Sequence, residues 1–141
     1  MKDNRGLAIK LYNAERWCYL HHLQPLANMI FRFMQLLLGC TIPYTVDLEK
    51  GVHIAHWHGI VMNVKCKVGA GSVIYQNVTL GGIKGQYGPT IGKNCIIGSG
   101  AVILGEISIG DNVHIGANAV VLKDVPANSI AVGVPAQIKN K

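Results

Sequence analysis

Three of the six histidines fall inside one short run, Val52-His53-Ile54-Ala55-His56-Trp57-His58. A neutral imidazole, with an unperturbed pKa of about 6.5, accepts a proton at physiological pH and so can serve as a general base. Three imidazoles this close in sequence could instead ligate a metal, provided that they converge. The four cysteines, Cys18, Cys40, Cys66 and Cys95, show no CxxC spacing and read as reduced thiols. A third feature is the polar, glycine-rich segment Gly81-Gly82-Ile83-Lys84-Gly85-Gln86-Tyr87-Gly88-Pro89-Thr90. Segments of this kind leave a regular scaffold, and such excursions often carry function. Which of these residues can meet depends on the scaffold.

The scaffold is written in a period of six. Apolar anchors stand at Met62, Val68, Ile74 and Leu80, and resume as Ile91, Ile97, Ile103, Ile109, Ile115 and Val121. Four residues after the anchors sit small or branched side chains: Cys66, Ser72, Val78, Cys95, Ala101, Ile107, Val113 and Ala119. Neither a helix nor an alternating strand generates this period; a solenoid does. The reading is a mainly β protein, a parallel β-helix of hexapeptide repeats with three short faces per coil. Anchors and the small residues point inward, which makes Cys66 and Cys95 core thiols. Gly71, Asn77, Asn94, Gly100, Asn112 and Asn118 fall at corners that favour positive φ. The period breaks twice. Leu48, Ile54 and Ile60 hold one phase, then Met62 slips by two; between Leu80 and Ile91 five residues are added.

This periodicity sorts the histidines. Counted from Ile54, His56 points outward near a corner, His58 occupies an inward slot, and His53 is a surface residue. Following the anchors Ile54, Ile74, Ile97 and Ile115 stacks His56, Gln76, Ser99 and Ala117 in one column. A groove with small Ser and Ala members accepts an extended ligand, and His56 at its end is placed to be a base.

The 141 residues suit one domain with one core. Half are hydrophobic but only 6% are aromatic, so the core is aliphatic and disorder is excluded. A net charge of +6 favours polyanionic partners, a phosphorylated cofactor among them. The charges are scattered singly, with no basic run and no aromatic interleaving, so no nucleic acid is expected as a partner. Residues 6–38 read as helical, with Leu7, Leu11, Ala14, Cys18 and the Leu20/Leu23 pair at helical spacing, Pro25 opening a second helix and Gly39 ending it. Across residues 25–38, Asn28, Arg32 and Gln35 make one polar stripe on a broad apolar face. That face is read as buried against protein or as lying on a membrane surface. The stretch is too short and polar to span a bilayer, and no secretory signal is seen, so a cytoplasmic protein is expected, with peripheral membrane contact through residues 25–38. The division expected is a helical segment over 1–45 and the β-helix over 46–141.

Several motifs together carry a family resemblance. They are His56-x-x-Gly59-Ile60-Val61, Gln76-Asn77-Val78-Thr79-Leu80-Gly81-Gly82, Pro89-x-Ile91-Gly92, Ile97-Gly98-Ser99-Gly100-Ala101-Val102-Ile103-Leu104-Gly105, Asp124-Val125-Pro126, and Ala131-Val132-Gly133-Val134-Pro135-Ala136. Over residues 46–138 the chain resembles the serine O-acetyltransferase family of hexapeptide-repeat acyltransferases. The resemblance implies a left-handed parallel β-helix, a homotrimer with active sites between subunits, acetyl-CoA as donor, and His56 as the base. Gly81, Gly82, Ser99 and Ala117 would meet the pantetheine arm, and Lys123, Lys139 and Lys141 are candidates for the CoA phosphates. No metal is implied. A zinc-dependent hydratase resembling γ-carbonic anhydrase, suggested by the histidine cluster, and an inactive trimeric scaffold are the competing readings.

The chain departs from the family on the acceptor side. Ala55 stands where the family has Asp before the histidine, and Tyr87-Gly88 where it has Arg-His. Only about 45 residues precede the solenoid, so the assembly that the family's long helical domain supports is not expected. An amino acid's carboxylate and ammonium call for charged partners. The expectation is therefore a saccharide acceptor of surface-polysaccharide synthesis, with Ala55, Trp57 and Tyr87 around it; serine is the alternative. The family's histidine also has an Asp partner nearly a coil earlier. Here Asp47, only about half a coil before His56, is the nearest acid, with Gln76, a backbone carbonyl or a neighbouring subunit as alternatives.

Overall fold

A computed structural model of the chain describes residues 6–141. The chain opens as a helical hairpin. Helix α1 (Leu7–Leu20) buries Ala8, Tyr12, Glu15 and Cys18, one stripe at helical spacing. Helix α2 (Gln24–Phe33) starts with Pro25 in its first turn and runs on into a wider π turn over Met34–Leu38. Gly39, at φ 61°, takes the left-handed conformation that stops it.

Residues 47–121 wind four three-sided coils. The first holds β1 (Asp47–Leu48), β2 (His53–Ile54) and β3 (Val61–Met62); the second holds β4 (Lys67–Val68), β5 (Val73–Ile74) and β6 (Thr79–Gly81). The third holds β7 (Thr90–Ile91), β8 (Ile96–Ile97) and β9 (Val102–Leu104), and the fourth β10 (Ser108–Ile109), β11 (His114–Ile115) and β12 (Val120–Val121). Each strand pairs in parallel with its equivalent one coil on, giving the faces β1-β4-β7-β10, β2-β5-β8-β11 and β3-β6-β9-β12. The second face is extended by β13 (Ser129–Val132), against which β14 (Gln137–Asn140) folds back antiparallel. This is the parallel β-helix that the six-residue period predicts.

The ten anchors from Met62 to Val121 are at most 2% exposed and form the axial ladder. Cys66, Ser72, Val78, Cys95, Ala101, Val113 and Ala119 are fully buried beside them; Ile107 is half-buried. The corners take positive φ as expected, for instance 58° at Asn77 and 70° at Gly100. Asn and Gly alternate down the corner that follows the second face. A Cβ on Gly59 would strike the Asn77 side chain, and one on Gly100 the Asn118 side chain. Glycine at one level thus makes room for asparagine at the next.

The hairpin closes the first coil. The Tyr12 hydroxyl donates to the Val46 carbonyl at 2.7 Å and accepts the Leu48 N–H at 3.3 Å. Arg16 donates to the carbonyls of Tyr44 and Val46 at 2.9 and 2.7 Å and to the Asp47 carboxylate at 3.0 Å. Met34, Leu38, Cys40 and Ile42 join the core from below. The π turn belongs to this seam, with Met34 and Leu38 both buried.

Glu15 is the exception to apolar burial. It is fully buried, and neither carboxyl oxygen has a hydrogen-bond partner among the described residues. Burial raises its pKa from 4.5 to about 8. Between those values the native chain keeps a proton that the unfolded chain has lost, so stability must fall as pH rises through that window. Glu15→Gln removes the proton linkage while keeping the shape. Melting temperature measured from about pH 5 to about pH 8.5 should fall more steeply for the parent than for the variant, and the variant should be the more stable at the upper end. Parallel profiles would mean that Glu15 is ionised in the native state.

Candidate functional site

The two-residue slip lies in the corner between the second and third faces. Ala55 is still in phase, its N–H bonding the Ile74 carbonyl at 2.9 Å. Three residues later the ladder has moved on: the Asn77 N–H bonds the His58 carbonyl at 2.9 Å. One coil up, the Gly100 N–H bonds the Gln76 carbonyl, and above that the Asn118 N–H bonds the Ser99 carbonyl. The corner column is therefore His58, Gln76, Ser99 and Ala117. The two extra residues are accommodated between Ala55 and His58, where the wall widens around His56 and Trp57.

This corrects the spacing argument in two respects. His56 does not stack in the column by backbone register, and His58 is exposed rather than turned inward. The physical reason is that an insertion before the corner shifts every later residue by two. Trp57 takes the inward role, half-buried and packed against the core, with its ring stacked on His58 at 5.5 Å between centroids. His56 is exposed, and His53 is half-buried on β2. Among the described residues no three His, Cys, Asp or Glu side chains are grouped so that they could hold a metal ion.

The other sequence-named residues divide between two edges of the third face. At the corner that precedes β3, Gln76 and Ser99 are half-buried and Ala117 is exposed. The Gln76 Oε1 is shielded from solvent and has no partner among the described residues. At the opposite edge, Gly81 pairs with Leu104, which carries Gly82, Gly105 and Lys123 into a second column. Lys123 is exposed. Between the edges the outward side chains are Val61, Thr79, Val102 and Val120, an almost wholly aliphatic strip. Asp47 is on the first face and is held by Arg16 at 3.0 Å.

The five-residue insertion leaves the wall after β6 and returns at Pro89. It is tightly seated at both ends. A side chain on Gly82 would run into the Gln86 carbonyl, and one on Gly88 into the Cys66 thiol. On its returning limb the Lys65 ammonium donates to the Tyr87 hydroxyl at 2.9 Å and lies 4.2 Å from the ring centre. Sequence reasoning did not find Lys65. It occupies a corner at φ 60° where Gly or Asn usually stands, a local anomaly that could have drawn attention to it.

The thiols are chemically quiet. Burial pushes Cys40 and Cys66 up to about 11 and raises Cys95. Reactive cysteines need the opposite, a stabilised thiolate near the surface. At the irregular corner two exposed imidazoles stand, those of His56 and His58.

Comparison with known proteins bears on the fold. The bacterial transferase hexapeptide (six repeats) family matches residues 88–123. A serine acetyltransferase of Synechococcus elongatus is 38% identical over 134 residues, covering 93% of this chain and 55% of the relative. The crystal structure of Neisseria gonorrhoeae serine acetyltransferase in complex with serine superposes with a TM-score of 0.88 at 36% identity, over 94% of this chain and 55% of that one. Brucella abortus serine acetyltransferase in complex with coenzyme A gives 0.91 at 31% identity, over 95% and 55%. The chain thus spans about half the length of these relatives. It is serine acetyltransferase-like in sequence and in fold.

The seating of the inserted loop can be tested directly. Gly88→Ala should lower unfolding free energy by about 1–3 kcal/mol, because the added methyl has to displace a buried thiol inside a packed core. Urea denaturation would measure it. Unchanged stability would mean that the loop is not anchored against Cys66.

Proposed function

We propose that this serine acetyltransferase-like chain is an acetyl-CoA-dependent O-acetyltransferase that moves acetyl directly to an acceptor hydroxyl, with His56 as general base. The observation that carries the proposal is the exposed His56 on the widened corner of a hexapeptide β-helix that matches serine acetyltransferases over nine-tenths of its length. His56 takes the acceptor's hydroxyl proton as the oxygen attacks the thioester carbonyl. Backbone N–H groups around Gly81 and Gly82 would hold the developing oxyanion. Collapse breaks the C–S bond; the thiolate leaves and takes the proton back from His56, giving an acetyl ester and free CoA. No acyl-cysteine is needed, in keeping with the buried thiols.

The split of the site between two edges of one face has a consequence for assembly. His56 and the Gly81/Gly82/Lys123 edge lie on either side of the aliphatic strip and cannot close on one ligand within a single chain. A homotrimer in which one edge of each subunit faces the other edge of its neighbour would unite them, burying the strip. Gly81, Gly82, Ser99 and Ala117 would then line the pantetheine arm, and Lys123 would meet phosphate.

For the acceptor, the relatives weigh toward serine, against the saccharide suggested by the residues around His56. We take serine as the main reading. A saccharide is the second, favoured by one observation: the flanks of His56 are Ala55 and the aromatic Trp57, where serine's carboxylate and ammonium would want charge. Gln76, with its unpartnered Oε1, is a better candidate than Asp47 to orient the imidazole, since Asp47 is bound to Arg16. The reaction belongs in the cytoplasm, where acetyl-CoA is made, and residues 25–38 fit contact with the inner face of the membrane.

The test is acetyl transfer by the purified protein, read as free thiol, with L-serine and a panel of sugars as acceptors. His56→Ala should cost about 10²- to 10⁴-fold in kcat, whereas His58→Ala should retain most activity. CoA should raise the melting temperature of the parent protein. An undiminished His56→Ala rate would remove His56 from the chemistry; no turnover with any acceptor and no CoA-dependent shift would leave a scaffold.

A further inference from the structure

The helical hairpin carries one apolar stripe more than its docking needs. On α2 and the π turn, Ala27, Met34 and Leu38 face the solenoid and are buried. Asn28, Arg32 and Gln35 form the polar stripe; Asn28 accepts from the Tyr44 hydroxyl and Gln35 donates to Thr41. On the flank that remains, Leu26, Met29, Phe33, Leu36 and Leu37 are between 40% and 83% exposed. Trp17 and Leu20 near the end of α1 and Leu23 in the turn are exposed as well. That makes eight large apolar side chains exposed within a span of twenty-one residues. A patch of this kind marks a contact surface.

Its charge says what kind. Among the described residues before Thr41 the only acid is Glu15, which is buried and, with its raised pKa, uncharged at neutral pH. Arg16 is paired with Asp47. The exposed ionisable side chains are Lys10, His21, His22 and Arg32, all of them bases. An apolar helix flank edged by bases, with no exposed acid among the hairpin's described residues, complements a negatively charged bilayer. Two copies meeting through this face would offer each other no opposite charge among the described residues. No helix among the described residues is long and apolar enough to cross a membrane, so contact with a bilayer would have to be made in the headgroup plane.

We propose that the outer flank of the α1–α2 hairpin docks on an anionic phospholipid surface, seating the β-helix with its first coil toward the membrane. The choice of the inner leaflet rests on the acetyl-CoA reading of the site; the affinity for anionic lipid does not, so the two can fail separately.

The experiment is flotation of the full chain with vesicles of phosphatidylcholine alone and with about a third phosphatidylglycerol. The protein should float with the anionic vesicles and be released by high salt. Its Trp17 emission should shift to the blue on binding, a change absent from Trp17→Phe. Leu36→Glu/Leu37→Glu should reduce the floated fraction about tenfold or more while leaving the circular dichroism and the oligomeric mass unaltered. Two results would overturn the proposal. One is protein that stays unbound with both vesicle types. The other is a mass in solution that drops in the double variant, which would make the patch an interface between copies.

Discussion

Everything in this molecule follows from how closely its coils stack. Parallel strands one coil apart lie about 4.8 Å from each other, and at the corners that spacing admits a side chain at one level only if the next level yields. The alternation of Gly59, Asn77, Gly100 and Asn118 is the sequence's answer. The asparagines tolerate the left-handed conformation at which most side chains are strained, and the glycines give up their Cβ to the level above. The interior obeys the same limit. A triangular bore filled by one anchor and one small residue per face has no space for aromatic rings, which explains an aliphatic composition with 6% aromatics.

Such regularity makes departures informative. A stacked solenoid cannot absorb an extra residue within a strand without shifting every pairing beyond it. Insertions must be expelled at corners, and there they create the only irregular surface on the coils. Two residues are expelled beside His56 and Trp57, five after β6. Both flank the third face, one at each edge, and among the residues that the sequence marks for chemistry they hold His56, Trp57, Gly82 and Tyr87. The scaffold is monotonous for the same reason that its exceptions are functional candidates.

How far the sequence can be read follows from this. The anchors, the inward small residues, the positive-φ corners and the quiet thiols were legible, because each depends only on a position within the period. Asp47 was legible as lying on another face, by counting. The position of His58 was not. Its inward assignment assumed an unbroken phase from Ile54, and the period does not say on which side of a corner an insertion is expelled. The Lys65–Tyr87 contact joins residues 22 apart through a loop of no fixed geometry, and nothing periodic announces it. For the helices, the spacing gave the stripes without the environment of each. One apolar face read as a whole is divided in the structure, with Ala27, Met34 and Leu38 covered and Leu36 and Leu37 open.

That division and the buried Glu15 are connected. A carboxylate on the outside of the hairpin would oppose the cations at its rim and draw water onto the apolar flank. Placed instead against the first coil, in an apolar seam that raises its pKa, the same side chain stays neutral and contributes nothing to the outer field. The cost is a buried acid without a hydrogen-bond partner, a group that ordinarily destabilises. It is offset locally by Tyr12, one turn before Glu15, and Arg16, the residue after it, which fasten α1 to the backbone of residues 44–48. The hairpin is thus held by its polar stitches rather than by its full apolar surface. That is why so much of that surface is left over for a partner outside the chain.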